Sequence, residues 1–189
     1  ASVQAAIAHP EVKILNCSLN TSHRYIRTYY ARMYEAKFLM GAIAGAMAEN
    51  GQLAYIADYP IFGTIANINA FALGAKMVNP RAQIYLEWST LKDVDLGIAM
   101  DNVIKKGVTV VSGRDMVIPE DASRYFGLYH IEKEGPRNLA MPLWHWGKFY
   151  EQLIRTIMDG TWKYDDNKDE TKAINYWWGL SAEVIDVIY

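Results

Sequence analysis

The sequence predicts an α/β fold in which a parallel sheet is covered by helices on both faces, giving three layers. Three features of residues 33–88 predict it. Helical and strand-like runs alternate, each run ends on a residue that breaks it, and the strand-like runs are apolar throughout. The helix from about Met33 to Asn50 is rich in Ala, Met and Leu and stops at Gly51. Leu53–Ala57 is a short apolar run, as a strand buried on both faces requires. Asp58-Tyr59-Pro60 then breaks the chain. The next helix places Ile61, Ile65, Ile68 and Ala72 on its inward face and ends at Gly74. Asn79-Pro80 turns into the strand Gln83–Glu87. Gly41-x-x-x-Gly45 allows the first of these helices to approach the sheet closely.

The remaining elements continue the pattern. A strand is expected at Val12–Asn16. Asp95–Lys106 forms a helix with Leu96, Met100, Val103 and Ile104 inward, ended by Gly107. Val108–Ser112 is the next buried strand, and Tyr125–Ile131 follows with aromatic and branched residues at strand density. Between them lie Gly113–Met116 and the turn-prone Pro119-Glu120-Asp121, enough for a short turn. A helix at about Trp146–Asp159, closed by Gly160, carries a broad apolar face of Phe149, Tyr150, Leu153, Ile154 and Ile157. Asp165–Lys172 is a solvated charge run, and the apolar tail predicts a strand with an adjoining turn or helix.

Composition excludes several classes of function. The net charge is −2, and Lys and Arg are scattered singly, unlike the clustered basic surface of a nucleic-acid binder. No run of about 18 apolar residues exists to span a membrane as a helix. The single cysteine, Cys17, rules out a disulfide within the chain and is expected to be a small buried hydrophobe. The four His show no metal-like spacing with each other or with Cys17. Dinucleotide, P-loop, nucleophile-elbow and zinc-protease motifs are absent, so neither a cofactor nor a metal is expected.

Parallel sheets bind ligands at the carboxyl ends of their strands. Tyr59 and Phe62 follow one such end, and Arg114 and Asp115 follow another. Tyr129, His130 and Glu132 close the Tyr125–Ile131 strand, and Trp144 lies on the segment after it. The expectation is that these residues line one rim. With 13 Tyr and 6 Trp the chain is rich in rings that can stack on a planar solute, each stack worth about 1–3 kcal/mol. The carboxylates can accept from hydroxyl groups. Structural roles are open to the same residues: Arg114 with Asp115 as a surface ion pair, His130 as a core histidine.

Arg27-Thr28-Tyr29-Tyr30 with Arg32–Ala36 resembles the start of the second lobe of the basic membrane protein family. Ile68–Ala75 with Val78-Asn79-Pro80, Trp144–Tyr150 and Asp159–Lys163 resemble the same family, in order along the chain. The resemblance implies a type I periplasmic-binding-protein fold. Residues 33–135 would be the second-lobe α/β domain, 1–32 a first-lobe strand and the crossover, and 136–189 the return segment, helix and tail. Most of the first lobe would precede residue 1, so this chain alone should bind weakly. By resemblance the function is capture of a purine nucleoside or similar ring compound by lobe closure, for delivery to an ABC permease. An extracytoplasmic location follows, with a lipid anchor outside this chain as the only tie to a membrane. An acidic residue and a Lys that resemble ribose contacts in the family align here near His130 or Glu132 and at or beside Trp144. Two other readings share the fold class: the effector-binding domain of a transcriptional regulator, and a small enzyme using Asp115 with His130 or Glu132 as acid and base.

Overall fold

A computed structural model describes residues 1–17, 25–90, 96–115, 126–162 and 175–189. The expected charge run Asp165–Lys172 and turn Pro119–Asp121 lie outside these residues. Two compact units are present: residues 1–32 with 144–184, and residues 33–143 with 185–189.

In the first unit, strands β1 (Ile14–Cys17), β2 (Ile26–Ala31) and β8 (Asn175–Trp178) form a parallel sheet in the order β1-β2-β8. Helix α1 (Ser2–Ala8) precedes it, and helix α5 (Trp146–Met158) packs through Phe149. The Phe149 ring stacks on Tyr29 of β2 at 4.7 Å and meets Tyr176 and Trp178 of β8 edge-on at 5.6 and 5.2 Å. The Arg27 guanidinium lies 3.6 Å over the Trp162 ring. Two expectations are corrected. Cys17 is exposed, because it ends an edge strand. The buried face of α5 is narrower than its apolar pattern, with Phe149 and Leu153 buried but Tyr150 and Ile154 exposed.

The second unit carries a six-stranded sheet in the order β4-β3-β5-β6-β7-β9. Its strands are β3 (Gln52–Ala57), β4 (Gln83–Trp88), β5 (Val110–Ser112), β6 (Leu128–Glu132), β7 (Gly135–Trp144, whose last residue falls in the first unit) and β9 (Ile185–Ile188). β4, β3 and β5 are parallel, as the crossover helices demand. β6 is antiparallel to β5 and β7 antiparallel to β6, so the expected parallel run stops there. The cause of the second reversal is local. Lys133-Glu134 joins β6 to β7 as a two-residue hairpin loop, and Gly135 just beyond it takes a φ of 118°, which favours glycine.

Both faces of this sheet are covered. α2 (Met33–Met47) and α3 (Phe62–Val78) close one face over Leu53, Tyr55, Val110 and Leu128. α4 (Leu96–Lys105) closes the other over Ala54, Ile56, Val111 and Tyr129. The Gly41–Gly45 spacing serves the contact between α2 and α3, not the sheet. A Cβ on Gly41 would sit 2.0 Å from the Phe71 carbonyl oxygen, and one on Gly74 would sit 2.0 Å from that of Phe38. This close crossing turns Phe71, Gly74 and Ala75 inward; of the expected face, Ile68 packs against the core and Ala72 is half-buried, while Ile61 and Ile65 are exposed. Apolar residues are spread around α3 without a one-sided pattern, so periodicity alone could not select its inner side. In α4, Ala99 and Val103 are buried while Ile104 is exposed.

Candidate functional site

Because β3, β4 and β5 run parallel, their carboxyl ends share one edge, which collects Asp58, Ser89-Thr90 and Gly113-Arg114-Asp115. The Ser89 hydroxyl donates to Asp58 Oδ1 at 3.0 Å, and the Thr90 hydroxyl donates to the Asp58 carbonyl oxygen. These bonds tie the end of β3 to the end of β4. Arg114 Nε lies 3.6 Å from the same Asp58 Oδ1, with both side chains about half exposed. Gly113 N–H donates to the Gly127 carbonyl, and Gly127 N–H to that of Arg114, each at 2.7 Å; together they hold the loop after β5.

Behind this edge stands a buried charge. Lys37 of α2 is 1% exposed and ion-paired through Nζ with Asp115 Oδ1, whose side chain is 18% exposed. The ammonium also lies 5.4 Å from the centre of the Tyr55 ring. Burial works to lower the Lys37 pKa, yet Asp115 and the Tyr55 hydroxyl outweigh it and hold the group above the ordinary lysine range. Burial pushes the Tyr55 hydroxyl up, with the Lys37 charge opposing. Ser112 ends β5 beside Tyr55 and Leu128, fully buried, and its hydroxyl has no hydrogen-bond partner among the described residues.

The sequence-predicted residues divide. Tyr59, Arg114 and Asp115 follow strand ends on this one edge, with the Tyr59 ring 61% exposed. Phe62 opens α3 and lies on its exposed face, one helical stripe with Ile65 and Leu73. Tyr129, His130 and Glu132 do not join the rim. β6 runs backwards, so His130 pairs with Val110, near the start of β5, and Glu132 lies farther still from Asp115. At strand rise the level of His130 is about 13 Å from that of Arg114. Asp115 therefore cannot act with His130 or Glu132 as an acid–base pair. The Tyr129 hydroxyl donates to Met100 Sδ at 3.0 Å, and Glu132 accepts from Arg137 Nε at 2.6 Å. Tyr129 and Glu132 line a separate, mostly apolar cavity of about 430 Å³ between α4 and the β6–β7 hairpin. Trp144, half-buried, ends β7 and belongs to the first unit.

Lys37 and Ser112 escaped the sequence reading. Lys37 carried a signal, since it is the one basic residue in the helix MYEAKFLMGAIAGAM, whose only other charge is Glu35. No cluster of His, Cys, Asp or Glu among the described residues could hold a metal ion. No described helix is long and apolar enough to cross a membrane.

The chain is similar to known proteins over its whole length. It is 26% identical to a purine-binding protein of Brucella abortus, covering 97% of this chain and 53% of that protein. It is 29% identical to a candidate ABC transporter glucose-binding protein of Haloferax volcanii, covering 72% of this chain and 38% of that protein. The chain thus spans about half, or less, of the length of these relatives. Among solved structures, an ABC transporter solute-binding protein from Conexibacter woesei superposes over 100% of this chain and 64% of its own, with a TM-score of 0.62 at 13% identity. That likeness shows the type I periplasmic-binding-protein fold. The family model for PnrA-like ABC transporter substrate-binding proteins matches residues 8–119, more than half of the chain, and the chain belongs to that family.

Proposed function

We propose that the edge formed by β3, β4 and β5 is a solute-recognition surface of an ABC importer's binding protein, and that the solute is a purine nucleoside or a related polyhydroxylated ring compound. The observation that carries this reading is the convergence of Asp58, Tyr59, Arg114 and Asp115 on one sheet edge, with Lys37 fixing Asp115 from behind. The exposed Tyr59 ring offers a face for a planar base, while the carboxylates accept from sugar hydroxyls. Arg114 supplies donors without a buried partner to hold it back. The purine preference rests on the Brucella relative; the Haloferax relative, named for glucose, shares the need for hydroxyl recognition. Lobe closure then supplies the differential affinity that traps the solute. His130, Glu132 and Trp144 are left out of the proposed contacts. The whole protein would act outside the cytoplasm and deliver its solute to a permease, with no chemical conversion.

Saturation-transfer NMR tests this at the weak affinity expected of a chain about half as long as its relatives. Adenosine, guanosine and glucose are each mixed with the wild type, with Tyr59→Ala and with Asp115→Asn. The expected result is transfer to nucleoside base and ribose protons, lost from the base in Tyr59→Ala and weakened in Asp115→Asn. Transfer that is absent, or that neither substitution alters, would refute the assignment of this edge.

A further inference from the structure

Asp58 is held twice by the end of β4. The Thr90 hydroxyl donates to its backbone carbonyl, and the Ser89 hydroxyl donates to Oδ1 at 3.0 Å. Ser89 is 6% exposed, so this donor reaches the carboxylate from inside the protein. Its one proton has a second acceptor in reach, the Ala57 carbonyl at 3.3 Å, and the charged oxygen is the stronger of the two. Arg114 Nε also lies against Oδ1, at 3.6 Å. Oδ2 is left without a hydrogen bond or ion pair among the described residues. Asp115 repeats the pattern: buried Lys37 takes Oδ1, and Oδ2 has no partner among the described residues. Both strand-end carboxylates keep one oxygen fixed and one open.

We infer that Ser89 is a positioning residue for solute recognition: it fixes Asp58 so that Oδ2 accepts from one hydroxyl of the solute's sugar. The inference rests on the solute site proposed above. Asp58 and Arg114 are both about half exposed, and a carboxylate beside a guanidinium can close onto it through two parallel bonds. Such a pair occupies both carboxylate oxygens. By engaging Oδ1 from inside, Ser89 holds the carboxylate where it stands, and the contact with Arg114 stays single and long. Without that hydroxyl the carboxylate turns onto the guanidinium, and the acceptor is lost to the solute. Fixing a group before binding adds affinity by removing the cost of ordering it at that moment. Loss of the Ser89 hydroxyl therefore acts only on solutes that carry the hydroxyl Asp58 receives.

NMR titration of the isotope-labelled chain gives dissociation constants for adenosine, 2′-deoxyadenosine and 3′-deoxyadenosine. The wild type should prefer adenosine over the analogue that lacks the hydroxyl bound by Asp58, by on the order of tenfold, as one hydrogen bond to a charged group allows. Ser89→Ala should weaken adenosine by a similar factor and leave that analogue within about twofold of its wild-type value. Ser89→Thr, which keeps the hydroxyl, should restore the preference. Asp58→Ala should abolish it, and adding Ser89→Ala to that variant should change nothing further, because the serine acts through the carboxylate. A structural role for Ser89 would instead weaken all three solutes alike and persist in the Asp58→Ala background. Either of those results would overturn the inference and leave the solute site standing, as would adenosine binding that Ser89→Ala does not alter or that shows no preference over either analogue. Binding of none of the three by the wild type would overturn the nucleoside reading itself, and this inference with it.

Discussion

The Lys37–Asp115 pair yields the sharpest stability prediction. Replacing Lys37 by Met removes a charge that is 1% exposed and leaves Asp115, 18% exposed, without its partner. Breaking a buried ion pair from one side costs about 3–5 kcal/mol. Asp115 can recover some hydration, which places Lys37→Met near the lower end, at about 3 kcal/mol. Asp115→Leu strands the lysine instead, and that residue has no route to water. Its cost is capped by loss of the proton, which from an ordinary lysine pKa down to pH 7 is about 4.6 kcal/mol. The order is therefore Asp115→Leu worse than Lys37→Met. The double variant replaces the pair by apolar groups and should lie within about 1 kcal/mol of wild type. Urea unfolding followed by far-UV circular dichroism and tryptophan fluorescence gives all three values from the midpoints, provided the slopes agree. A loss below about 0.5 kcal/mol for Lys37→Met, or a double variant that costs the sum of the two singles, would refute the account of a buried, mutually neutralising pair.

Three further outcomes follow from the same structure. Gly41→Ala should destabilise by more than about 1–3 kcal/mol in thermal melts, because the new methyl meets backbone at the α2–α3 crossing; Gly147→Ala, with open space around it near the start of α5, should gain about 0.5–1 kcal/mol. Ser112→Ala should leave stability unchanged or raise it by up to about 1 kcal/mol, since its buried hydroxyl makes no hydrogen bond among the described residues; a clear loss in urea unfolding would contradict that. The Lys37 pKa is raised in the fold, so the pair's contribution is complete below the ordinary lysine value of about 10.4 and declines as pH rises through the folded value. Unfolding midpoints should therefore be flat for this pair from pH 7 to 10 and then fall, and Lys37→Met/Asp115→Leu should lack that component of the fall.

The sequence carried the layers and the positions of most elements, because Gly51 and Gly107 stop helices and apolar runs mark β3 and β5. It carried the shared edge of Tyr59, Arg114 and Asp115 for the same reason, since these three sit directly after recognisable parallel strands. Strand direction was the missing quantity. Nothing in YFGLYHI distinguishes a strand running with its neighbour from one running against it; the two-residue Lys133-Glu134 loop, too short for a crossover, explains only why β7 runs against β6, and β6 itself runs against β5. That one reversal moved His130 and Glu132 to the far edge. The inward face was only partly right where apolar residues are spread around the helix, as in α3, and inward faces came out too wide in α4 and α5, where only two positions each are buried. Lys37 was hidden because a partner 78 positions away in the chain cannot be read from local spacing.

The chain passes between its two units at residues 32–33, 143–144 and 184–185. Strand β9 is therefore handed to the six-stranded sheet only after the peptide has made the whole α5 and β8 segment. Ile185 is nearly solvent-free, so this late arrival completes a core and is no ornament. During synthesis the β7 edge must wait bare for about 40 residues' worth of ribosome travel, a few seconds at ordinary elongation rates. A protease that nicks the last crossing would leave Ile185–Tyr189 held by strand pairing and the burial of Ile185 alone.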